Sequence, residues 1–171
     1  MAEHHPAPAP ATAVPVRVDV QTAPFDVGAE LQALSDADHG VGAVASFVGT
    51  LRDRNDGTPV TAMELEHYPG MTERAIEAMA HDAVARFGLR AVRVVHRVGP
   101  LRPGDGIVLV AVAATHRREA FQGCEFLMDY LKTQAPFWKK EQTPEGARWV
   151  DARVSDDAAL ARWGIDAANL P

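Results

Sequence analysis

Hydrophobic positions along the chain follow two different periods, and the changes between them predict strands and helices in mixed order. The segment 16–21 alternates valine with polar residues, which is typical of a half-buried strand. The segment 107–114 is apolar throughout, which favours a strand buried on both faces. The other predicted strands cover 42–50, 61–67, 91–98, 137–141 and 147–153.

Apolar residues at helical spacing predict two long helices. The clearer one opens at Thr72 and stops at Gly88, because glycine adopts the left-handed conformation that ends many helices. The second runs from about Arg117 to Gln134, and Pro136 ends it because the residue before a proline avoids helical dihedral angles. The stripe expected to be core in the first helix consists of Ile76, Met79, Ala80, Ala83, Val84 and Phe87.

Capping and turn residues complete the outline of the fold. Asp26 is placed to cap a helix that runs to about Ala37, and Ser155 to cap a terminal helix through Trp163. Asp56-Gly57 marks a turn. Strands and helices are mixed, with several strands adjacent, and this order indicates an α+β domain with a mixed sheet and two long helices.

The length of 171 residues suits a single domain. We expect that domain to cover residues 16–163, between a disordered tail rich in proline and alanine at 1–15 and a short C-terminal tail at 164–171. The first residues lack the basic and apolar regions of a signal peptide, and no apolar run approaches the ~20 residues of a membrane span. A cytoplasmic protein fits these features best.

Charge and cysteine content argue against several classes of function. The net charge of −6 argues against general nucleic-acid binding, which favours a basic surface. The single cysteine, Cys124, excludes an internal disulfide and a multi-cysteine metal site, and its place on the apolar side of a helix predicts a core residue. The histidines lack ligand spacing and the glycines form no nucleotide-binding motif, so we expect neither a metal nor a cofactor.

The distribution of lysine is the most informative feature of the composition. The chain has fourteen arginines but only three lysines, Lys132, Lys139 and Lys140, all within nine consecutive positions. Lysine can release a proton when its surroundings lower its pKa, whereas arginine cannot, so the cluster is a candidate for proton transfer or amine nucleophilicity. The alternative is a general bias toward arginine that leaves three lysines by chance.

Helix and strand geometry separates the three lysines. Lys132 lies at the edge of an apolar stripe, alongside Met128, in the last turn of the second long helix; alone, it could simply cap the helix end through the macrodipole. A turn at Pro136 could bring Lys139 back beside it, whereas Lys140 would face the other side of the strand. Two ammonium groups held close lower each other's pKa, which would make one of them a usable base.

The start of the same helix carries a second candidate site. His116 and Arg117, followed by Arg118, lie where free backbone N–H groups attract anions, and this arrangement predicts a phosphate or carboxylate site. The alternative is a solvated first turn rich in arginine, although cations are electrostatically misplaced at a helix start. Weaker candidates in a loop or at a strand end are Arg52, Arg54 and Arg153.

Four stretches of the sequence have distinctive combinations of residues. They are FVGTLRDRNDG (47–57), LEHYPGMTERA (65–75), HRVGPLRPGD (96–105) and the run 107–153, which contains LKTQAPFWKKE. Together they resemble the large, catalytic subunit of molybdopterin synthase, the MoaE family. The resemblance covers about residues 16–163, and LKTQAPFWKKE is its most specific part.

This resemblance implies the α/β-hammerhead fold and a sulfurtransferase of molybdenum cofactor synthesis. The family converts cyclic pyranopterin monophosphate to molybdopterin by installing two dithiolene sulfurs. Each sulfur arrives as the C-terminal thiocarboxylate of a small ubiquitin-like sulfur-carrier subunit, MoaD, whose tail enters the pocket of the large subunit. The implied assembly is a heterotetramer, in which a dimer of large subunits carries one small subunit at each end.

The resemblance also implies roles for individual residues. Lys132 and Lys139 match the two essential lysines, with Lys132 as acid/base or transient covalent partner and Lys139 holding negative charge. His116 and Arg117 match residues that hold the pterin phosphate. Arg52 matches an active-site arginine that can act across the dimer. The other matches, which line the pocket or contact substrate, are Phe47, Met128, Lys140, Glu141 and Arg153.

A non-catalytic alternative stays open at the level of sequence. The basic cluster would then bind a pterin, or dock an acidic partner tail, without performing a reaction. Lysine-to-arginine substitutions separate the two readings, because docking should survive them and catalysis should not. The family position of Thr50 is basic in some relatives, so its contact with substrate also stays open.

Overall fold

The computed structural model describes residues 13–150, 158–159 and 161–165. Its principal helices are α1 (Val27–Asp36), α2 (Met71–Phe87) and α3 (Arg117–Thr133). Its strands are β1 (Val16–Gln21), β2 (Ala43–Thr50), β3 (Arg54–Asn55), β4 (Thr58–Pro59), β5 (Ala62–His67), β6 (Ala91–Arg97), β7 (Gly99–Leu101), β8 (Gly106–Ala114), β9 (Phe137–Thr143) and β10 (Gly146–Val150).

The first sheet has the strand order β1-β6-β8-β2, with β1 parallel to β6 and the other neighbours antiparallel. The helices α2 and α3 cover one face, where Val110 and Phe126 are fully buried. The helix α1 covers the other face, where Leu34 joins Leu109 in a second core. Helices therefore cover both faces of β8, which is the environment that its continuous apolar sequence predicts.

The second sheet has the order β10-β9-β5-β7 and is antiparallel throughout. Its core includes Met63, Leu65 and Leu101. Ile107 and Phe137 pack against this core and also against the core beneath α2 and α3, so the two sheets meet at these residues.

Most predicted element ends are confirmed by local geometry. The carboxylate of Asp26 accepts a hydrogen bond from the N–H of Ala29 at 3.0 Å and caps α1. Gly88 ends α2 in the left-handed conformation, with φ of 62°. The turn at Asp56-Gly57 joins the short strands β3 and β4. The predicted cap Ser155 lies outside the described residues, although Ala158, Ala159 and Ala161 are helical.

The strand β7 is absent from the predicted elements, and its sequence explains why. It has three residues, GPL, and both glycine and proline are depleted in strands. Pairing with β5 overrides this weak local preference, with Met63 opposite Leu101 and Leu65 opposite Gly99. A tertiary contact therefore creates this strand, and no local pattern could reveal it.

A buried ion-pair network joins β6 to its neighbours on the α1 side of the first sheet. The Arg93 side chain is only 6% exposed. Its Nε and Nη2 donate to Glu30 Oε2 and Oε1 at 2.7 and 2.9 Å, and its Nη1 lies 2.7 Å from Asp19 Oδ2. Hydrogen bonding from the guanidinium lowers the pKa of Glu30. The network therefore ties α1 to β1 and β6 through charge-assisted bonds.

None of the helices in the described ranges is long and apolar enough to cross a membrane. The predicted limits of the domain at residues 16 and 163, and of the two tails, stay predictions, because residues 1–12 and 166–171 lie outside the described part of the chain.

Candidate active site

A cavity of about 570 Å³ lies where the two sheets meet. Its walls come from the end of β2 and the loop after it, the last turns of α3, and the inward face of β9. Segments far apart in sequence thus converge on it. The lining residues are Phe47, Val48, Gly49, Thr50, Leu51, Arg52, Arg54, Asn55, Met63, His96, Ile107, Val108, Met128, Leu131, Lys132, Ala135, Phe137, Lys139, Glu141 and Val150.

Positive charge dominates this lining. Arg52, Arg54, Lys132 and Lys139 contribute cations, and Glu141 is the one carboxylate among the described lining residues. The whole chain carries a formal charge of −6, so the cavity is a locally positive region within an acidic protein. A recess lined by one sign of charge concentrates ligands of the opposite sign, and this recess therefore suits anions.

The lysines lie where helix and strand geometry predicts. Lys132 is exposed in the last turn of α3, and Lys139 is on the inward face of β9, opposite Leu65 of β5. Lys140 points away from the cavity, with its Nζ 5.7 Å from the centre of the Trp149 ring. Because alternate residues of a strand face opposite sides, only one of the two adjacent lysines reaches the cavity.

The bend that returns the chain from α3 to β9 is held by a buried hydroxyl. Thr72 is fully buried, and its Oγ1 donates to the carbonyl of Pro136 at 3.1 Å. The same oxygen accepts a hydrogen bond from the N–H of Tyr68 at 3.0 Å. The start of α2 therefore fixes the bend on which the relative placement of Lys132 and Lys139 depends.

We expect Thr72→Val to lower the free energy of unfolding by about 2 kcal/mol, because it leaves the partly buried Tyr68 N–H and Pro136 carbonyl without this partner. Thr72→Ser keeps the hydroxyl and should recover at least half of that loss. Urea denaturation of both variants measures the difference. Equal unfolding midpoints for the two variants would show that the hydroxyl does not stabilise the bend.

Glu141, which lines the cavity, is held in place by hydrogen bonds. It is 5% exposed, and its Oε1 accepts a hydrogen bond from Asn55 Nδ2 at 2.8 Å. Its Oε2 accepts two more from Arg148, at 3.2 and 3.0 Å. These bonds connect β9 to β3 and β10, and they partly neutralise the carboxylate, which leaves the lining cationic.

His96 is a cavity residue that the sequence reasoning missed. It is 8% exposed, its ring stacks on Phe137 with centroids 3.8 Å apart, and its Nδ1 lies 2.9 Å from the carbonyl oxygen of Arg97. Burial, together with the positive charges of Lys139 and Lys132, lowers the pKa of His96 from 6.5 to about 4. The indication in the sequence was a polar residue on the same face of β6 as valines that point inward.

The lowered pKa of His96 predicts that stability falls in acid. Below pH 6.5 the unfolded imidazole binds a proton, whereas the native one stays neutral down to about pH 4. The free energy of unfolding should therefore decrease between pH 6.5 and 4, by up to about 3 kcal/mol from this group. Urea denaturation across this range measures the slope.

The matched variants are His96→Gln and His81→Gln, since His81 is exposed on α2. The first should flatten the slope between pH 6.5 and 4, and the second should keep it. A slope that survives in His96→Gln would assign the acid sensitivity to other groups.

Three of the ten predicted site residues are described but do not line the cavity, and a fourth, Arg153, cannot be placed. His116 and Arg117 are exposed at the start of α3, and fifteen residues of helix separate Arg117 from Lys132, or about 22 Å. Lys140 faces outward, and Arg153 lies outside the described residues. The six that do line it are Phe47, Arg52, Met128, Lys132, Lys139 and Glu141.

Cys124 is a core residue, as predicted. It is 7% exposed, and its Sγ lies 3.9 Å from the carbonyl oxygen of Val110. Burial raises the pKa of its thiol to about 11, so the sulfur stays protonated at neutral pH and is a poor nucleophile. Among the described residues, no group of histidine, cysteine, aspartate and glutamate is arranged to hold a metal ion.

Comparison with known proteins places this geometry in a family. A family model described as MoaE protein matches residues 20–134, more than half of the chain. The chain belongs to the MoaE family. It is 62% identical over 152 residues to a molybdopterin synthase catalytic subunit from Ralstonia nicotianae, a match that covers 89% of this chain and 86% of the relative.

Solved structures of the family share the fold. A MoaE protein from Burkholderia ambifaria has a TM-score of 0.77 and 57% identity, covering 88% of this chain and 99% of that one. A molybdopterin synthase from Staphylococcus aureus has a TM-score of 0.72 and 28% identity, covering 77% and 95%. The predicted family and the predicted α/β-hammerhead fold are both confirmed. In this MoaE chain, the LKTQAPFWKKE signature forms the wall of the cavity that carries both lysines.

Proposed function

We propose that this MoaE chain is the catalytic subunit of a molybdopterin synthase. It converts cyclic pyranopterin monophosphate to molybdopterin, and it takes two dithiolene sulfurs from the C-terminal thiocarboxylate of a small ubiquitin-like carrier subunit. The observation that carries this proposal is the cationic cavity, which holds Lys132 and Lys139 in a chain closely similar to molybdopterin synthase catalytic subunits. We place the reaction in the cytoplasm, in keeping with the composition and the single cysteine.

The source of sulfur supports a separate carrier. Cys124 is one buried, protonated thiol, and it cannot provide two sulfur atoms. A carrier tail that ends in a thiocarboxylate is anionic, as is a cyclic phosphate, so both ligands match a cavity lined by two lysines and two arginines. Each transfer consumes one water molecule, whose oxygen replaces the transferred sulfur, so the carrier tail leaves as an ordinary carboxylate.

The two lysines have different tasks in the proposed reaction. Lys132 is exposed at the cavity, so its amine can reach the carbon that accepts sulfur and act there as acid/base or transient covalent partner. Lys139 is partly buried in β9 and holds the negative charge of the bound thiocarboxylate or phosphate. Glu141, engaged by Asn55 and Arg148, keeps β9 in place beneath them.

The proposed phosphate site draws on a second copy of the chain. His116 and Arg117 lie about 22 Å along α3 from Lys132, too far for one pterin to contact both ends of the helix. A homodimer solves this if the start of α3 in one copy approaches the cavity of the other. Each cavity then combines lysines from one subunit with His116 and Arg117 from its partner.

The β2 edge of the first sheet is a suitable surface for that second copy. β2 is an edge strand, with no neighbour on its outer side among the described residues. It exposes Phe47 and Val48 beside the cavity, and α3, which packs on β2, exposes 67% of Phe121. An unpaired edge with apolar side chains favours association with another chain.

Hybrid dimers test this shared site. Lys132→Ala and Arg117→Ala, each with its own affinity tag, should be inactive alone. A hybrid purified through both tags has one intact cavity out of two if the sites are shared, so we expect about half of the wild-type activity. A hybrid as inactive as its parents would place both residues in one subunit's site and contradict the shared arrangement.

The decisive experiment for the activity is reconstitution. The protein is mixed with a thiocarboxylated small subunit and cyclic pyranopterin monophosphate, and the dithiolene product is measured after oxidation to a fluorescent pterin. The carboxylate form of the small subunit is the control and should give no product. Binding of both ligands without sulfur transfer would favour the alternative, a non-catalytic scaffold that binds pterin or an acidic partner tail.

A further inference from the structure

The short hairpin β3–β4 forms part of the cavity wall and carries Arg54, one of the cations of the lining. The residues that flank the hairpin, Leu51 and Val60, are buried in the core of the second sheet, whereas Arg54 is exposed. A two-stranded hairpin by itself is only marginally stable in water. Contacts with the rest of the chain must therefore hold this one against the cavity.

The hairpin is internally rigid, and Arg54 is tied to it. Asp56 and Gly57 have φ angles of 49° and 80°, the two positive values that are typical of a tight type I′ turn. Arg54 Nη2 donates to the carbonyl of Gly57 at 2.7 Å. A guanidinium has five N–H donors, and this bond uses one of them. The position of the Arg54 charge therefore depends on where the whole hairpin lies.

Asn55 joins the hairpin to β9. Its Nδ2 donates to Glu141 Oε1 at 2.8 Å. This acceptor is fixed in place, because Glu141 is buried and Arg148 of β10 donates to its other oxygen at 3.0 Å. A hydrogen bond to an ionised carboxylate is stronger than a bond between neutral groups. The bond from Asn55, which we call the latch, therefore anchors the hairpin next to its turn.

We propose that Asn55 is a positioning residue of the active site, whose latch to Glu141 holds Arg54 at the cavity as a further binding group for an anion. This inference rests on the proposed function for the identity of that anion, which is either the phosphate of the pterin or the C-terminal group of the carrier. A cation that is already held in place binds an anion more tightly, because less loop and side-chain freedom is lost on binding.

Hydrogen exchange tests the latch without any ligand. Asn55→Leu removes the amide donor without adding charge, so the backbone amides of residues 54–58 should exchange roughly threefold faster or more. Gln32→Met is the matched control, because Gln32 Nε2 donates to Asp36 Oδ1 at 2.9 Å on the exposed side of α1. It should leave the hairpin amides unchanged. Unchanged exchange of these amides in Asn55→Leu would overturn the latch.

Calorimetric titration tests the consequence for binding. The two probes are cyclic pyranopterin monophosphate alone and the carboxylate form of the carrier alone. Arg54→Met should raise the Kd of one probe roughly tenfold, because a hydrogen bond between charged groups is lost, and Asn55→Leu should raise the same Kd roughly three- to tenfold. The affected probe identifies the anion that Arg54 holds. Unchanged Kd values for both probes in either variant would overturn the proposal.

Combined variants separate positioning from a merely structural role. If Asn55 acts through Arg54, adding Asn55→Leu to Arg54→Met should change Kd by less than about twofold, whereas independent effects would multiply. Asn55→Asp combined with Glu141→Gln exchanges donor and acceptor at constant charge, and it should bind at least about threefold more tightly than Asn55→Asp alone. Multiplying effects, or no recovery in the exchanged pair, would overturn the proposal.

Reconstituted turnover keeps two kinds of failure apart. A wild-type protein that binds both probes but transfers no sulfur would reject the proposed function, and exchange and binding would still decide the latch. A wild-type protein that turns over, with hairpin exchange and Kd values unaltered in Asn55→Leu, would reject the latch and leave the proposed function standing.

Discussion

Lys132→Arg is expected to reduce dithiolene formation by roughly two to four orders of magnitude while leaving the fold and ligand binding in place. Arginine keeps the positive charge at the end of α3 but cannot give up a proton or form a covalent adduct, and general acid–base catalysis contributes about this much to rate. Single-turnover assays with thiocarboxylated carrier measure the loss, and calorimetric titration with the carboxylate carrier checks that docking survives.

The matched control replaces an arginine with a lysine at a position outside the cavity lining. Arg17 is exposed on β1, where it pairs with Asp19, and Arg17→Lys should change neither turnover nor docking. Full turnover in Lys132→Arg would mean that charge alone suffices. Lys132 would then be an anion-binding residue, and the acid/base role would pass to another group.

Glu30→Ala is expected to cost about 3–5 kcal/mol of stability, the largest effect of a single substitution predicted for this chain. It removes the bidentate partner of Arg93 and leaves a guanidinium that is 6% exposed with Asp19 as its remaining ionic partner. Breaking a buried ion pair from one side is costly because the remaining charge keeps its desolvation penalty. The midpoint of urea unfolding at unchanged slope measures the effect.

The same substitution at Glu77, which is exposed on α2, provides the control and should change stability by less than about 0.5 kcal/mol. A second variant, Glu30→Ala combined with Arg93→Met, should recover part of the loss, because it removes the unpaired charge. A double variant no more stable than Glu30→Ala would show that packing around α1, rather than the charge, sets the cost.

Local patterns in the sequence were sufficient to predict most of the fold. Alternating and continuous apolar segments predicted β1 and β8, and Asp26 and Gly88 marked helix ends that the structure shows. The sequence could not reveal strands that form only because they pair with a strand distant along the chain. β7 contains glycine and proline and exists because β5 lies beside it.

The site was predictable in part, and for identifiable reasons. Lys132 and Lys139 were found because lysine is rare in this chain and because Pro136 forces a turn between them. His96 was not found, since a single histidine in a strand gives no sign that Phe137 and the lysines close over it. The anion-binding pattern at His116 was visible, and the predicted helix from Arg117 to Gln134 already implied its separation of about 22 Å from Lys132, which the structure confirms.

The length of α3 has a consequence for how the proposed dimer would work. One rigid helix would supply Lys132 to its own cavity and Arg117 to the cavity of the partner, so each helix would belong to both reaction centres. A shift of α3 along its axis on occupancy of one centre would then alter the other by the same displacement. Binding of the two pterins would then be cooperative. A Hill coefficient different from one in a pterin titration would indicate that α3 moves as a rigid unit and couples the two centres.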